Sequence, residues 1–103
     1  MKSEAEKYLS GEFQKKVAKN MKLCRKVSRP LVTQEEMANI LHVERQHVIK
    51  IGNGKLHITI EELMVYCALF EVDPSVMLMA DETFLGKHMQ FKNTIKDTIY
   101  SSK

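Results

Sequence analysis

Hydrophobic residues recur along the chain at steps of three and four, the spacing of side chains on one face of an α-helix. Polar or turn-forming residues separate six such blocks, which predict helices over about residues 12–26, 34–41, 44–52, 60–70, 74–78 and 84–99. The first helix carries an apolar stripe of Phe13, Val17, Met21 and Cys24, while its lysines and Arg25 lie largely elsewhere on its surface. This pattern predicts an all-α fold.

Capping sequences mark three of the predicted helix starts. The TQEE sequence from Thr33 and the TIEE sequence from Thr59 both match the capping box. In that motif the threonine hydroxyl accepts a backbone N–H and the glutamate reaches back to the N-cap. Asp73 precedes Pro74, an order typical of an N-cap followed by the first helical residue. These signals predict that helices begin at residues 34, 60 and 74.

The fourth and fifth predicted helices supply much of the expected core. Their apolar positions are Ile60, Leu63, Met64, Cys67 and Phe70, then Val76, Met77 and Leu78. Because Cys24 and Cys67 both fall on apolar stripes, two buried thiols are favoured over a disulfide or a metal pair. The four histidines lack the close Cys/His spacing of zinc sites, so we expect no metal and no cofactor.

Residues 33–55 are the stretch around which the chain is organised. Here two short predicted helices are joined by a tight turn and end in Gly52-Asn53-Gly54, which tolerates positive φ. In the second of these helices Val48 and Ile51 form a buried side, so the opposite side points outward. The arrangement predicts a helix-turn-helix.

The outward side of that second helix carries side chains suited to reading DNA. It is centred near Gln46 and includes Arg45, Ile49 and Lys50. Arg, Gln and Lys match the hydrogen-bonding groups of guanine and adenine edges in the major groove, and an isoleucine can contact a thymine methyl group. A solvated helix face is the alternative explanation of the same residues.

Short motifs along the chain carry a family resemblance. They are VAKNM from Val17, TQEEMA from Thr33, LHVER from Leu41 and NGK from Asn53. Over about residues 12–79 the chain resembles the Cro/C1-type, lambda repressor-like helix-turn-helix domain of phage repressors and many bacterial regulators. The resemblance implies a five-helix domain, here with an additional C-terminal helix, that binds operator DNA as a dimer with its third helix in the major groove.

The same resemblance implies roles for individual residues. It makes Gln34 a phosphate contact at the start of the second helix, and Asn53 and Lys55 backbone contacts after the third. The residues that it makes base-facing are Glu44, Arg45, Gln46 and Lys50. The chain departs from the family pattern at His42, Gly52 and Glu71, where the family more often has Gly, Glu and Gly. A histidine can adopt the left-handed conformation at some cost, so we expect the turn at His42 to form.

Charge is segregated along the chain. Residues 12–58 hold ten Lys and Arg against four Asp and Glu, a charge of +6; residues 59–86 hold six acids and no Lys or Arg, a charge of −6. Residues 87–103 hold four basic residues against one acid, a charge of +3. Because the positive part contains the predicted helix-turn-helix, this polarity favours a polyanionic partner on one side of the molecule.

The domain organisation follows from these patterns. We expect a polar segment over residues 1–11, the DNA-binding domain over 12–80 and an amphipathic helix over 81–103. The last helix carries a stripe of Phe84, His88, Phe91, Ile95 and Ile99. We favour a dimer contact for this stripe, through Phe84, Phe91, Ile95 and Ile99. Packing onto the chain's own core and docking of a different protein are the alternatives.

The leading functional hypothesis is a transcriptional regulator, most simply a repressor, that binds double-stranded DNA as a homodimer on an inverted repeat. The second hypothesis is a protein-interaction module, such as an antitoxin or anti-repressor, which Ile49 and the acidic segment favour. We expect no enzyme, because the sequence shows no paired nucleophile and base and no Gly-rich phosphate loop. It shows no membrane span and no signal peptide, so we expect a cytoplasmic protein.

Overall fold

The computed structural model describes the backbone of residues 11–101 and the side chains of residues 11–93. This part of the chain contains α-helices and no strand, which confirms the all-α class. The helices are α1 (Glu12–Val27), α2 (Gln34–Leu41), α3 (Arg45–Gly52), α4 (Ile60–Phe70), α5 (Pro74–Met79) and α6 (Glu82–Ser101).

Both predicted capping boxes are confirmed. At the start of α2, Glu36 N donates to Thr33 Oγ1 over 3.1 Å, and Thr33 N donates to Glu36 Oε1 over 3.3 Å. At the start of α4, the corresponding bonds between Thr59 and Glu62 measure 3.1 and 2.9 Å. Each box satisfies N–H groups that have no partner within the helix, so the two helix starts are fixed locally by the sequence.

Two helices end on a non-glycine residue in the left-handed conformation. His42 closes α2 with φ 58° and ψ 43°, as expected from the sequence, and Glu71 closes α4 with φ 54° and ψ 45°. After each of them a valine N–H bonds back to a helix carbonyl over 3.0 Å, Val43 to Ala38 and Val72 to Cys67. These bonds, from the second residue after the helix to a carbonyl in its last turn, satisfy a C-terminal carbonyl and turn the chain sharply.

The core lies around α1, which contacts α3, α4, α5 and α6. Its fully buried side chains include Met21, Cys24 and Met37, and Cys67 is almost fully buried. Both cysteines are free thiols, as predicted. Burial, together with the neighbouring Cys67, raises the pKa of Cys24 to about 12, so Cys24 remains a protonated, apolar part of the core.

Two expectations about the helix faces were wrong. On α4, Ile60 is 77% exposed and Met64 is also exposed, while Tyr66 is buried in their place. Ile60 is the first residue of a helix whose capped end lies at the surface, and Met64, four residues later, lies on the same exposed side of that helix. On α1, Arg25 is buried rather than solvated, because its Nη1 donates to the Val32 carbonyl over 3.1 Å and closes the loop before α2.

The last helix packs against α1. Leu85 and Met89 join the same core as α1 and α2, and Asn93 Nδ2 donates to the Val27 carbonyl at the end of α1 over 2.9 Å. The buried side chain of Asn20 makes a similar link, donating to the carbonyls of Met77 and Ala80 over 2.9 and 2.8 Å. The core therefore continues across residue 80 and includes the first turns of α6.

Candidate nucleic-acid interface

Helix α3 divides into a buried side and an exposed side. Val48 and Ile51 are packed in the core at 3% and 1% exposure, while Arg45, Gln46 and Lys50 are exposed. The division follows from helical geometry, because positions three apart share a face and the side chains between them point away. The structure thus presents three of the predicted base-facing side chains on the outward side of a helix whose opposite side is buried.

Glu44 and Asn53 lie at the two ends of α3. Glu44 is its exposed N-cap residue and makes no side-chain capping bond, so its carboxylate is directed to solvent. At the other end Asn53 and Lys55 are exposed, and Gly54 turns the chain with φ 69°. Asn53 and Lys55 thus follow α3, as the sequence predicted, whereas Glu44, which the sequence placed within the helix, precedes its first turn.

A hydrogen bond joins the starts of α2 and α3. Arg45 Nε donates to Gln34 Oε1 over 3.2 Å at an exposed position. Sequence reasoning gave these two residues separate roles, but the structure brings them into direct contact. Because five guanidinium N–H groups are available and one is used here, Arg45 retains donors for another group while its orientation is set by Gln34.

Ile49 is the predicted base-facing residue that is not fully exposed. It is half-buried and lines a narrow cleft of about 20 Å³ together with Lys22, Gln34 and Asn53. The outward centre of α3 therefore lies nearer Gln46 than Ile49. Ile49 therefore forms part of the cleft wall and is less exposed than Gln46.

The inner flank of α3 is held by a contact that sequence reasoning missed. His47 Nε2 lies 2.5 Å from Glu62 Oε2 on α4. Burial works against ionisation of Glu62, but its hydrogen bonds to the Thr59 backbone and to His47 hold its pKa below its ordinary value. The two residues are fifteen apart and no periodic pattern links them, so only the folded structure brings them together.

The loop after α3 is tied to α1 through one glutamine. Gln14 Nε2 donates to the Leu56 carbonyl, and Gln14 Oε1 lies 3.0 Å from His57 Nδ1. These contacts fix the chain immediately after Lys55. The backbone that carries Lys55 is thus held in place while its side chain is exposed.

The exposed side of α6 is aromatic. Phe84 and Phe91 are 57% and 65% exposed, and the Phe84 ring stacks on His88 with centroids 6.2 Å apart. Both phenylalanines lie on a different side of the helix from Leu85 and Met89, which pack on α1. The other two members of the expected dimer contact, Ile95 and Ile99, lie outside the described side chains.

The exposed side chains of α3 and its two ends can form hydrogen bonds and carry charge. Within residues 11–93, no group of three or more His, Cys, Asp and Glu residues is placed to hold a metal ion. None of the helices in the described part is long and apolar enough to cross a membrane.

Comparisons of the chain with protein-family models, with curated proteins and with solved structures found no match.

Proposed function

We propose that this chain is a sequence-specific DNA-binding regulator of the lambda repressor-like type, with α3 as the helix that enters the major groove. The observation that carries the proposal is the exposed set of Arg45, Gln46 and Lys50 on a helix whose opposite side is buried. The major groove of DNA admits one α-helix. A helix that is packed into the protein on one side and carries long hydrogen-bond donors on the other side fits this groove.

Each candidate residue has a distinct part in the proposed complex. Arg45 and Lys50 donate to guanine, Gln46 pairs with adenine, and Glu44 accepts from the amino group of cytosine. Gln34, Asn53 and Lys55 contact phosphates and set the register of the helix, without choosing the sequence. Ile49 touches a thymine methyl group from the wall of the cleft. Bound across a promoter, such a protein represses by occluding it.

The proposed regulator is a homodimer whose contact includes the aromatic side of α6. Burying a large apolar side chain is worth about 1.5–3 kcal/mol, so the exposure of Phe84 and Phe91 in one subunit is costly. A second copy presents the same side to the first in a two-fold contact. Such a contact sets the separation of the two α3 helices, which must be close to one turn of DNA, about 34 Å.

The dimer contact is tested without disturbing the core. Truncation of α6 is unsuitable because it would remove Leu85 and Met89 from the core. The double substitution Phe84→Ser and Phe91→Ser changes only exposed side chains. We expect it to give a folded monomer by sedimentation, whereas Met64→Ser, which changes an exposed apolar side chain on α4, leaves a dimer. A folded double variant that remains dimeric contradicts the contact.

Selection of bound sites from a random pool of duplex DNA tests the proposed function as a whole. We expect enrichment of an inverted repeat whose half-sites each contain about three or four specified base pairs. A single half-site would contradict the dimer while supporting base recognition. Enrichment of no motif, at a salt concentration where the protein binds duplex DNA, would contradict sequence-specific recognition.

A second candidate is a protein-interaction module such as an antitoxin or anti-repressor. The exposed Phe84 and Phe91 favour it, since an apolar surface of this kind also fits a different protein. A mobility-shift assay with genomic fragments at moderate salt separates the candidates. A regulator gives discrete bands with a few fragments, and a module that binds only protein gives none.

A further inference from the structure

An open groove of about 570 Å³ lies between α1 and the end of α3. Four of its lining residues are lysines of α1, spaced by four, three and four positions, which places them on one side of that helix. The lysines are Lys15, Lys19, Lys22 and Lys26. From the first to the last, they extend over about 16 Å of the helix.

The ammonium groups in this groove are little used by the protein itself. Lys19 Nζ lies 4.0 Å from Glu82 Oε1, but both side chains are more than half exposed, so this ion pair is weak. Within the described residues, Lys15, Lys22 and Lys26 have no carboxylate within ion-pair distance. Lys16, by contrast, donates to the Met79 carbonyl over 3.0 Å and serves the fold. Helix α1 therefore carries one lysine, Lys16, that bonds to the fold and four that line the groove.

Two of the lysine stems are packed against glycines at the end of α3. A Cβ added at Gly52 would lie 3.3 Å from Lys22 Cδ, and one added at Gly54 would lie 3.0 Å from Lys15 Cγ. The absence of side chains at these positions lets α1 and the end of α3 approach closely. The stems of Lys15 and Lys22 are thus held beside α3, which orders part of the groove before any ligand arrives.

The groove is continuous with the candidate DNA-contacting residues. Lys22 and Asn53 line both the groove and the narrow cleft that contains Gln34 and Ile49. A polyanion that touches Gln34 and Asn53 therefore meets the lysines as it continues along α1. One strand of duplex DNA has a phosphate for every 3.4 Å of axis, so a length of about 16 Å offers roughly four to five phosphates.

We infer that the phosphodiester backbone of DNA flanking the base pairs read by α3 lies in this groove, neutralised by Lys15, Lys19, Lys22 and Lys26. The inference rests on the proposed function and extends it from a half-site contact to the DNA beside the site. Because phosphate contacts carry no sequence information, the groove adds affinity and salt dependence without changing which bases are preferred.

The test compares two duplexes and three variants. One duplex ends at the selected site, and the other carries about ten further base pairs on each side, roughly one helical turn. The variants are Lys19→Gln, the double substitution Lys19→Gln with Lys26→Gln, and the control Lys87→Gln, an exposed lysine on α6 outside the groove. None of these lysine stems packs against Gly52 or Gly54, and thermal unfolding checks that each variant is folded.

We expect the flanks to strengthen binding by the unaltered protein and to steepen its log–log salt dependence. Each groove lysine removed from each bound subunit should reduce the slope by about 0.9 on the flanked duplex and leave the trimmed duplex unchanged. Because Lys87 lies beside Phe84 and Phe91 on α6, sedimentation first checks that the Lys87→Gln control is dimeric. It should then behave as the unaltered protein on both duplexes.

The outcomes separate the inference from the proposal on which it rests. Specific binding with no effect of the flanks, or with equal flank effects in all variants, overturns the groove assignment and leaves α3 as the reading helix. Equal losses on both duplexes place the lysines within the half-site and also overturn it. Absence of specific binding by the unaltered protein overturns the proposed function, and the groove assignment with it.

Discussion

Among the described residues the structure contains two helix-turn-helix units with nearly the same turn and different surfaces. In the first, α2 begins at a Thr-Glu capping box, ends at a left-handed His42 and leads through Val43 to α3. In the second, α4 begins at the same kind of box, ends at a left-handed Glu71 and leads through Val72 to α5. The two turns share even their hydrogen bonding, so the turn alone does not identify a DNA-binding unit.

The two units differ in how their side chains are used. In the second unit the N-cap side chain caps its own helix, because Asp73 Oδ1 accepts from Ser75 N over 2.9 Å. This unit also lies in the segment of charge −6. The first leaves Glu44 without a capping bond and presents Arg45 and Lys50 to solvent in the segment of charge +6. Under the proposed function, the exposed side chains and not the turn geometry distinguish the two units, because the charge of the first suits a polyanion and that of the second does not.

The largest expected effect tests what the two units have in common. Met37 in the first unit and Met77 in the second are both fully buried. Replacing either by Ala should lower the free energy of unfolding by about 2–5 kcal/mol, since each leaves a cavity in the shared core. Urea denaturation measures both values. A cost below about 1 kcal/mol at one site would show that its unit is not part of the common core.

A smaller effect concerns the contact that ties the first unit to the second. Glu62 has a lowered pKa, so its contribution to stability is present above its ordinary value near 4.5 and is lost as the pH falls through the lower folded value. Glu62→Gln should cost about 1 kcal/mol at pH 7 and progressively less as the pH falls below 4.5, because Gln preserves the capping box but not the charge beside His47.

The matched control for Glu62 is Glu36, which occupies the same place in the other capping box and has no histidine partner among the described residues. Denaturation of Glu62→Gln and Glu36→Gln across pH 3–7 compares them directly. We expect the cost of Glu62→Gln to grow more steeply between acid and neutral pH. Equal pH dependence of the two variants would show that the His47 contact contributes nothing to stability.

The smallest effect lies at the two turns. His42→Gly and Glu71→Gly should each raise the free energy of unfolding by about 0.5 kcal/mol, because glycine relieves the left-handed strain but also gains freedom in the unfolded chain. Thermal unfolding of the two variants and the unaltered protein measures the change. A loss of stability at either position would mean that the side chain makes a compensating contact.

Signals in neighbouring residues predicted the helices well, but they did not predict contacts between residues far apart in the sequence. The capping boxes, the left-handed His42 and the buried cysteines were each visible in a few neighbouring residues. The second unit was missed, although the order of Glu71, Val72 and Asp73 repeats that of His42, Val43 and Glu44. The packing side of α6 was missed because its apolar residues occupy two adjoining sides, and the more regular stripe contains the exposed Phe84 and Phe91.

The sequence predicted which residues face outward at the candidate site, but not the contacts between them. Helical periodicity alone placed Arg45, Gln46 and Lys50 on the outward side of α3. The bond from Arg45 to Gln34 joins residues eleven positions apart, and it depends on the angle between two helices, which no periodic pattern contains. The lysine groove likewise depends on how closely α1 approaches Gly52 and Gly54 at the end of α3.

The central claim is that the outward side of α3 reads bases, and the most direct test is the base preference of a Gln46→Ala variant. Its affinity is measured on the selected site and on every single-base change of that site, beside the unaltered protein and the control Met64→Ala on α4. We expect a loss of about 1–3 kcal/mol on the selected site and a relaxed preference at one position of each half-site. Full affinity with an unchanged preference at every position, in Gln46→Ala and likewise in Arg45→Ala and Lys50→Ala, would contradict the claim.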